Sequence, residues 1–193
     1  MFRFQLSAGV GVDLNDRRHA ASNGELVDEM ILIGYDGSED ARTAIEQAGK
    51  LLGGQPATVL TVWEPFMEVL AHSSFGAGMS AGMVDFEEID AANRTGAETR
   101  AQEGAELARQ AGLDAQPHTR NQVTSIGDAI LEEASELDAT AIVVGSRGLT
   151  GVKSLVLGSV SHGLIHHADR TVIVVPSAEV AAARANYSRT GGK

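Results

Sequence analysis

The chain has 193 residues, of which 43% are hydrophobic, so it is long enough to bury the core of one α/β domain. It has no cysteine, which excludes disulfides and thiol catalysis and agrees with a cytoplasmic location. The formal net charge of −11 disfavours binding to nucleic acid or anionic membranes. No apolar run approaches the roughly 18 residues that a membrane span needs.

The middle of the chain alternates between predicted strands and predicted helices. Short runs of apolar or β-branched residues predict strands over residues 30–35, 57–63, 115–123, 140–144 and 171–175. Helices are predicted between them, from the N-cap Ser38 to about residue 52, then over 83–111, 126–137 and 159–167. Four of the strands are continuous apolar runs, which is typical of a parallel sheet covered on both faces. The pattern therefore predicts a doubly wound βαβ sheet with helices on both faces.

The two ends of the chain lack this pattern. In residues 1–28, apolar residues follow neither the helical nor the strand period for long. This stretch predicts an N-terminal extension without a secretory signal. Residues 177–193 are small, polar and rich in alanine, and they predict a flexible C-terminal tail, with a helical turn within it left open. The predicted domain therefore comprises residues 29–176.

The connection after the fourth strand is rich in glycine. Gly145 ends the strand, Gly148 follows, and Gly158 stands directly before Ser159, which opens a helix. Glycines let backbone amides approach an anion, and a helix start adds unpaired N–H donors with partial positive charge. Residues 139–168 also contain no Asp or Glu in this acidic chain. The connection therefore indicates a phosphate-binding loop, with a loop that only turns tightly as the alternative.

The spacing G-x2-G-x9-G-S in this connection resembles the ATP-binding signature of the universal stress protein family. Three longer stretches resemble the same family, namely MILIGYDGSEDA, TVLTVWEP and TAIVVGSRGLTGVKSLVLGSVSHGLIHHADRTVIVVP. The resemblance covers residues 29–176. It implies a single Rossmann-like domain whose five-stranded parallel sheet has the order 3-2-1-4-5.

The resemblance also implies which residues hold a nucleotide. Val62 would contact adenine through its backbone, and Asp36 would lie near the ribose or near a metal on the phosphates. The residues implied to flank the ribose or to cradle the phosphates are Gly145, Arg147, Gly148, Gly158, Ser159, Val160 and Ser161. The implied cofactor is ATP with Mg²⁺, while AMP or cAMP in place of ATP stays open. A purely structural role for Asp36, as a turn cap, also stays open.

The implied function is that of an ATP-binding stress-response module, a nucleotide-dependent binding or signalling protein. One alternative is a weak ATPase or a nucleotidyl-transferring enzyme on the same fold. Another is a dimeric interaction scaffold whose nucleotide site is unused. No combination of residues offers an obvious general base for attack on a γ-phosphate, so we expect no dedicated enzyme activity, with slow hydrolysis left open.

The fifth predicted strand, Thr171–Val175, lies at an edge of the sheet in the implied strand order. It carries no charge and no internal proline. An apolar edge exposes unpaired backbone groups that invite another strand. We therefore expect a homodimer joined through this strand about a two-fold axis, with coverage by the C-terminal tail as the alternative.

Four other patterns point to chemistry or charge less strongly. Residues 148–154 lack P-loop spacing, because the lysine does not directly follow the last glycine. The G-x-S-x-G match at residues 78–82 does not follow a predicted strand. His162 and His166 are spaced like two metal ligands, but a third ligand is not apparent. The acidic residues of 83–106 and of 128–138 are expected on solvated helix faces.

Overall fold

A computed structural model describes residues 29–66, 85–122, 124–149 and 157–189 of the chain. The predicted N-terminal extension lies outside these ranges. So do the G-x-S-x-G match and the lysine of the P-loop-like stretch, and these interpretations stay predictions.

Within the described ranges, strands and helices alternate along the chain. The strands are β1 (Ile31–Gly34), β2 (Pro56–Trp63), β3 (Asp114–Asn121), β4 (Ala141–Gly145) and β5 (Thr171–Val175). The helices are α1 (Glu39–Leu52), α2 (Phe86–Gln110), α3 (Ile126–Glu136), α4 (Ser159–His167) and α5 (Ala178–Arg189). Every predicted strand and helix is present, with its ends shifted by a few residues at most.

The five strands form one sheet in which each neighbouring pair is parallel, in the order β3-β2-β1-β4-β5. This confirms the predicted five-stranded Rossmann-like sheet. Strand β1 lies at the centre, paired with β2 on one side and β4 on the other. Its continuous apolar sequence fits that position, because both faces of a central parallel strand are covered by helices.

Successive residues of β1 point to opposite faces of the sheet and enter two separate cores. Ile33 belongs to a cluster with residues of α1 and α2. Leu32 belongs to a second cluster with residues of α3 and α4. Helices α1 and α2 therefore cover one face, and α3 and α4 cover the other, with the carboxyl ends of the strands open between them.

Helix α5 is longer than the single helical turn that the sequence left open near the C-terminus. Its sequence is rich in alanine and other good helix formers, but it lacks a periodic apolar face, which is the signal that predicts a packed helix. Val180 is buried and provides one apolar contact for the helix. No helix in the described ranges is long and apolar enough to cross a membrane. The cytoplasmic location stays a prediction.

The prediction that the acidic residues of α3 all face solvent is wrong at Glu133. Its side chain is buried, and its carboxylate accepts a hydrogen bond from Arg120 Nη1 at 2.8 Å. His118 Nε2 lies 3.3 Å from the same carboxylate. Hydrogen bonds to Glu136 and Glu133 raise the pKa of Arg120 further above its usual range. A cation on β3 thus compensates a carboxylate that the helix places against the sheet.

Candidate functional site

A cavity of about 850 Å³ opens at the carboxyl ends of β1, β2 and β4. Its volume is in the range of small-molecule sites. It also lies where the strand order reverses around β1, the usual ligand position in such sheets. All the residues that the family resemblance implies for nucleotide binding line this one cavity, namely Asp36, Val62, Gly145, Arg147, Gly148, Gly158, Ser159, Val160 and Ser161.

Asp36 links the turn after β1 to the loop after β4. Its Oδ1 accepts a hydrogen bond from the backbone N–H of Ser38 at 2.9 Å, and its Oδ2 accepts one from Leu149 N–H at 3.1 Å. A Cβ atom at Gly148 would lie 2.7 Å from Asp36 Oδ2, so only glycine allows this approach. Asp36 is therefore a turn cap in part, and its half-buried carboxylate still lines the cavity.

A second acid, Asp40 of α1, contacts the start of the loop that follows β4. It is 5% exposed, and Ser146 Oγ donates a hydrogen bond to its Oδ2 at 2.7 Å. Arg147 Nε lies 3.7 Å from the same oxygen. Burial raises the pKa of Asp40, but hydrogen bonds from Ser146 and Ser177 and the charge of Arg147 outweigh burial, so its pKa is lowered overall. The sequence indicated Asp40 only as an acid in the first turn of a helix.

Glycine at position 145 permits this contact. A Cβ atom there would lie 2.7 Å from the backbone carbonyl carbon of Asp40 and 2.9 Å from the backbone nitrogen of Ala41. Real Cβ atoms essentially never come within 3.0 Å of such atoms, so a side chain at this position would force the strand end or α1 to shift. The close packing of β4 against α1 is thus one reason for a glycine at position 145. The approach of an anion, which the sequence pattern indicated, is another.

The end of the loop is closed by its own backbone. Gly158 N–H donates to the carbonyl oxygen of Ser146 at 2.8 Å. Ser161 Oγ lies 3.0 Å from the same carbonyl oxygen and 3.1 Å from that of Gly158. Ser161 is buried and its hydroxyl is engaged in the loop, whereas Ser159 is exposed at the cavity. Of the two hydroxyls, that of Ser159 is the more available to a ligand.

The start of α4 differs from the starts of the three preceding helices. Ser38, Asp85 and Ser125 each accept a hydrogen bond from a backbone amide in the first turn of α1, α2 and α3. The N-cap of α4 is Gly158, which makes no side-chain cap, and the first turn of α4 contains no acid. Among the described residues, no carboxylate or hydroxyl caps the first amides of α4 or compensates the partial positive charge of this helix end. An anion is the natural partner for such a helix start.

Sequence reasoning missed the wall that α2 contributes to the cavity. Ile89, Asn93 and Arg100 line it from this helix, and Asn93 Nδ2 lies 3.4 Å from the carbonyl oxygen of Glu64. The acidic sequence of α2 contains no binding motif, so its contribution follows only from how the helix packs on β2 and β3. The other walls are largely apolar and include Leu60, Trp63, Ile126 and Val144.

Tyr35 is a further lining residue without a sequence signal. It is almost fully buried, and its hydroxyl donates a hydrogen bond to Glu103 Oε1 at 3.0 Å. Burial and this hydrogen bond raise the pKa of Tyr35 to about 12. Arg42 also binds Glu103, so the tyrosine, the arginine and the glutamate join β1, α1 and α2 beside the cavity.

The histidine pair that the sequence singled out lies on the exposed side of α4. The ring centroids of His162 and His166 are 4.5 Å apart. In the parts of the chain that the structure describes, no group of three or more His, Asp or Glu side chains is placed to hold a metal ion.

Comparison with known proteins gives one consistent result. The model of the universal stress protein family matches residues 29–176. A universal stress protein of Thermus aquaticus is 29% identical over 149 residues, which are 76% of this chain and 98% of that protein.

Solved structures of the same family share the fold. The universal stress protein from Archaeoglobus fulgidus in complex with dAMP aligns with a TM-score of 0.51 and 22% identity, covering 78% of this chain and 99% of that chain. A universal stress protein family protein from Arabidopsis thaliana with AMP bound aligns with a TM-score of 0.51 and 15% identity, covering 77% of this chain and 91% of that chain.

Proposed function

The chain belongs to the universal stress protein family, and from that premise we propose that it is an ATP-binding module that acts as a nucleotide-dependent binding or signalling protein in a stress response. One observation carries this proposal: every residue of the nucleotide-binding pattern lines a single cavity of about 850 Å³. The relatives that were solved with dAMP and with AMP support an adenine nucleotide as the class of ligand.

The cavity has one apolar part and one part suited to an anion, which fits the two halves of a nucleotide. Leu60 and Trp63 on β2, together with Ile126, form apolar surface next to Val62. We assign the base to this part, with the backbone of Val62 as its polar contact. Apolar walls with a few fixed polar groups are typical of sites that bind planar ligands.

We assign the phosphates to the start of α4. The uncapped amides of its first turn and the hydroxyl of Ser159 are hydrogen-bond donors, and no acid stands in that turn. Gly145, Arg147 and Gly148 border this part of the cavity from the loop after β4. On the side of α1, the buried Asp40 accepts a hydrogen bond from Ser146 Oγ and lies 3.7 Å from Arg147 Nε.

Asp36 is the residue that we assign to Mg²⁺ or to the ribose. Each of its carboxylate oxygens accepts one hydrogen bond from a backbone amide. A carboxylate oxygen has room for a second bond, so both oxygens can still bind a ligand or a metal ion. Oxygen ligands of this kind are those that Mg²⁺ prefers when it is bound to nucleotide phosphates. The metal would neutralise part of the phosphate charge beside this acid.

The direct test is mass spectrometry of the purified protein under native conditions, followed by titration calorimetry with ATP, AMP and cAMP. We expect either retained nucleotide or a saturable heat with at least ATP. A chain that retains no nucleotide and shows no heat with any of the three would contradict the proposal and would favour the scaffold with an unused site.

We also propose that two copies of the chain pair through β5. This strand lies at the edge of the sheet, and none of its five residues is charged. Residues 172–174 are half-buried although β5 has a neighbouring strand on one side only. Antiparallel pairing with the same strand of a second copy would satisfy the free backbone groups of this edge.

Val174→Lys tests the pairing, because a charge on each copy near the two-fold axis disfavours the contact. Sedimentation equilibrium at about tens of micromolar should give a dimer for the wild type and a monomer for the variant, with ATP affinity less affected. Leu51→Lys, an exposed apolar-to-lysine change on α1, is the matched control and should stay dimeric. A wild type that sediments as a monomer would overturn the proposal and favour coverage of β5 by the C-terminal segment.

A further inference from the structure

Helix α2 carries three arginines, and one of them differs from the other two. Arg94 pairs with Glu98 at 3.1 Å, and Arg109 pairs with Glu106 at 3.0 Å, each about one helical turn apart. For Arg100, the parts of the chain that the structure describes provide neither an ion pair nor a hydrogen bond. The positive charge of Arg100 is therefore not compensated within its own helix.

The reason lies in the positions one turn away from Arg100. Glu103 is the carboxylate at the favourable spacing, but its Oε1 already accepts the Tyr35 hydroxyl at 3.0 Å and pairs with Arg42. On the other side, the position one turn earlier is Gly96, which has no side chain to offer. The helix thus leaves this one guanidinium without a carboxylate.

The side chain of Arg100 passes close to two glycines at the wall of the cavity. A Cβ atom at Gly37 would lie 3.7 Å from Arg100 Cδ, and a Cβ atom at Gly96 would lie 3.7 Å from its Nη2. Gly37 adjoins Asp36 in the turn after β1, so the arginine crosses from α2 to that turn. Arg100 is exposed to solvent and lines the cavity.

Groups that attract an anion therefore border the cavity from both faces of the sheet, and the carboxylates of Asp36 and Glu64 line it as well. Helix α4, with its uncapped start, belongs to one face, and α2, with Arg100, belongs to the other. Among the described residues that line the cavity, Arg147 is the other Arg or Lys, and its Nε lies 3.7 Å from the buried carboxylate of Asp40. Of these two guanidiniums, that of Arg100 has no carboxylate partner among the described residues.

We propose that Arg100 binds a second phosphate of the ligand, separate from the phosphate at the start of α4. The inference rests on the proposed function, since it concerns the same cavity. A guanidinium forms two parallel, charge-assisted hydrogen bonds to phosphate oxygens, which an amide or a lysine does not reproduce. The cavity then selects nucleotides that carry at least two phosphate groups over nucleotides that carry one.

Two sources supply such a phosphate. It is either the β- or γ-phosphate of a 5′-polyphosphate or a phosphate on the ribose. Titration calorimetry with AMP, ADP, ATP and adenosine 3′,5′-bisphosphate distinguishes them. The proteins to compare are the wild type, Arg100→Gln, and Arg94→Gln as the matched control on the same helix.

We expect Arg100→Gln to weaken binding by about ten- to one-hundred-fold for each ligand whose second phosphate it contacts. Binding of AMP should stay within about two-fold of the wild type, because AMP lacks that phosphate. A loss for ADP and ATP places the second phosphate in the 5′ chain, and a loss for the bisphosphate places it on the ribose. Arg94→Gln should bind all four ligands as the wild type does.

Two results would overturn this inference alone. In the first, Arg100→Gln binds all four nucleotides as tightly as the wild type. In the second, it weakens AMP as much as the others, which would mean that Arg100 acts on a single phosphate or on the fold. A wild type that binds none of the four overturns the proposed function itself, so the two failures are distinguishable.

Discussion

Helices α1 and α4 begin beside each other at the same cavity, yet their first turns have opposite electrostatic character. Helix α1 begins at Ser38, whose Oγ accepts a hydrogen bond from Ala41 N–H at 3.2 Å, and its first turn carries Glu39 and Asp40. Helix α4 begins at Gly158, with no side-chain cap and no acid in its first turn. Strands β1 and β4, which lead into the two helices, are direct neighbours in the sheet.

The difference shows at which helix start the protein itself compensates the partial positive charge. The cap and the acids of α1 compensate its partial positive charge, and Asp40 also holds the loop that leads to α4. The start of α4 has no equivalent among the described residues, and in our proposal the phosphates of a bound nucleotide compensate it. Exchanging the properties of the two starts is therefore the most direct way to test it.

The largest effect is expected for Gly158→Val at the start of α4. A Cβ atom there would already lie 3.3 Å from the Cα of Arg147 and 3.4 Å from the carbonyl oxygen of Ser146, and the γ-carbons of valine would occupy space at the helix start. We expect ATP affinity to fall by more than about one-hundred-fold, measured by calorimetry.

The matched control for this change is Gly163→Ala, also in α4, where an added Cβ atom would have nothing within 4 Å. It should keep wild-type affinity. A Gly158→Val protein that is folded by circular dichroism and binds ATP normally would show that the phosphates do not lie at α4.

Ser159→Asp gives the first turn of α4 the acidic character of α1. A carboxylate beside the bound phosphates repels them, so we expect ATP affinity to fall by about fifty-fold, with fold stability unchanged or slightly higher. The reciprocal change, Glu39→Ser on α1, should lower stability by about 0.5 kcal/mol and leave ATP affinity within about two-fold. Equal losses of affinity in the two variants would mean that the two helix starts are equivalent.

Asp40→Asn tests the contact that joins α1 to the loop before α4. Loss of the charged acceptor for Ser146 and Arg147 should lower stability by about 2 kcal/mol at pH 7, measured by urea unfolding. Because folding lowers the pKa of Asp40, its stabilising contribution is complete above its ordinary pKa of 3.8 and is lost as the pH falls through the lower value of the folded state. The gap between wild type and variant should therefore persist from pH 7 to pH 4 and narrow below that. A gap that has already closed at pH 5 would assign the effect to another group.

Asp36→Ala has the smallest expected effect and depends on the metal. With Mg²⁺ present, we expect ATP affinity to fall by about ten-fold, and without Mg²⁺ by less than about two-fold. Calorimetry with and without a chelator measures both values. Asp36→Asn is the control for the hydrogen bonds to the backbone amides of Ser38 and Leu149, because it keeps an acceptor without the charge. Equal affinities of all three proteins in both conditions would leave Asp36 as a turn cap.

The sequence predicted the sheet and its helices well because both signals are local. Apolar runs and helix caps depend on residues a few positions apart, and the bounds of β5 and α4 agree with the prediction at both ends. Helix α5 was missed because its alanine-rich sequence has high helix propensity without the apolar period that indicates packing. Glu133 was placed in solvent because its partner Arg120 comes from a different strand.

The candidate site also has one part that the sequence predicted and another that only the tertiary structure decided. The glycine spacing by itself determined that Gly145, Gly148, Gly158 and Ser159 belong to one loop between a strand and a helix, since that pattern is read along the backbone. Only the tertiary structure decided what surrounds this loop: Asp40 meets Ser146 across 106 positions of sequence, and Asp36 meets Leu149 across 113. The same holds for Arg100, whose place at the cavity depends on how α2 packs against the sheet. Contacts of this kind depend on which face each helix covers, and no local pattern in the sequence carries that information.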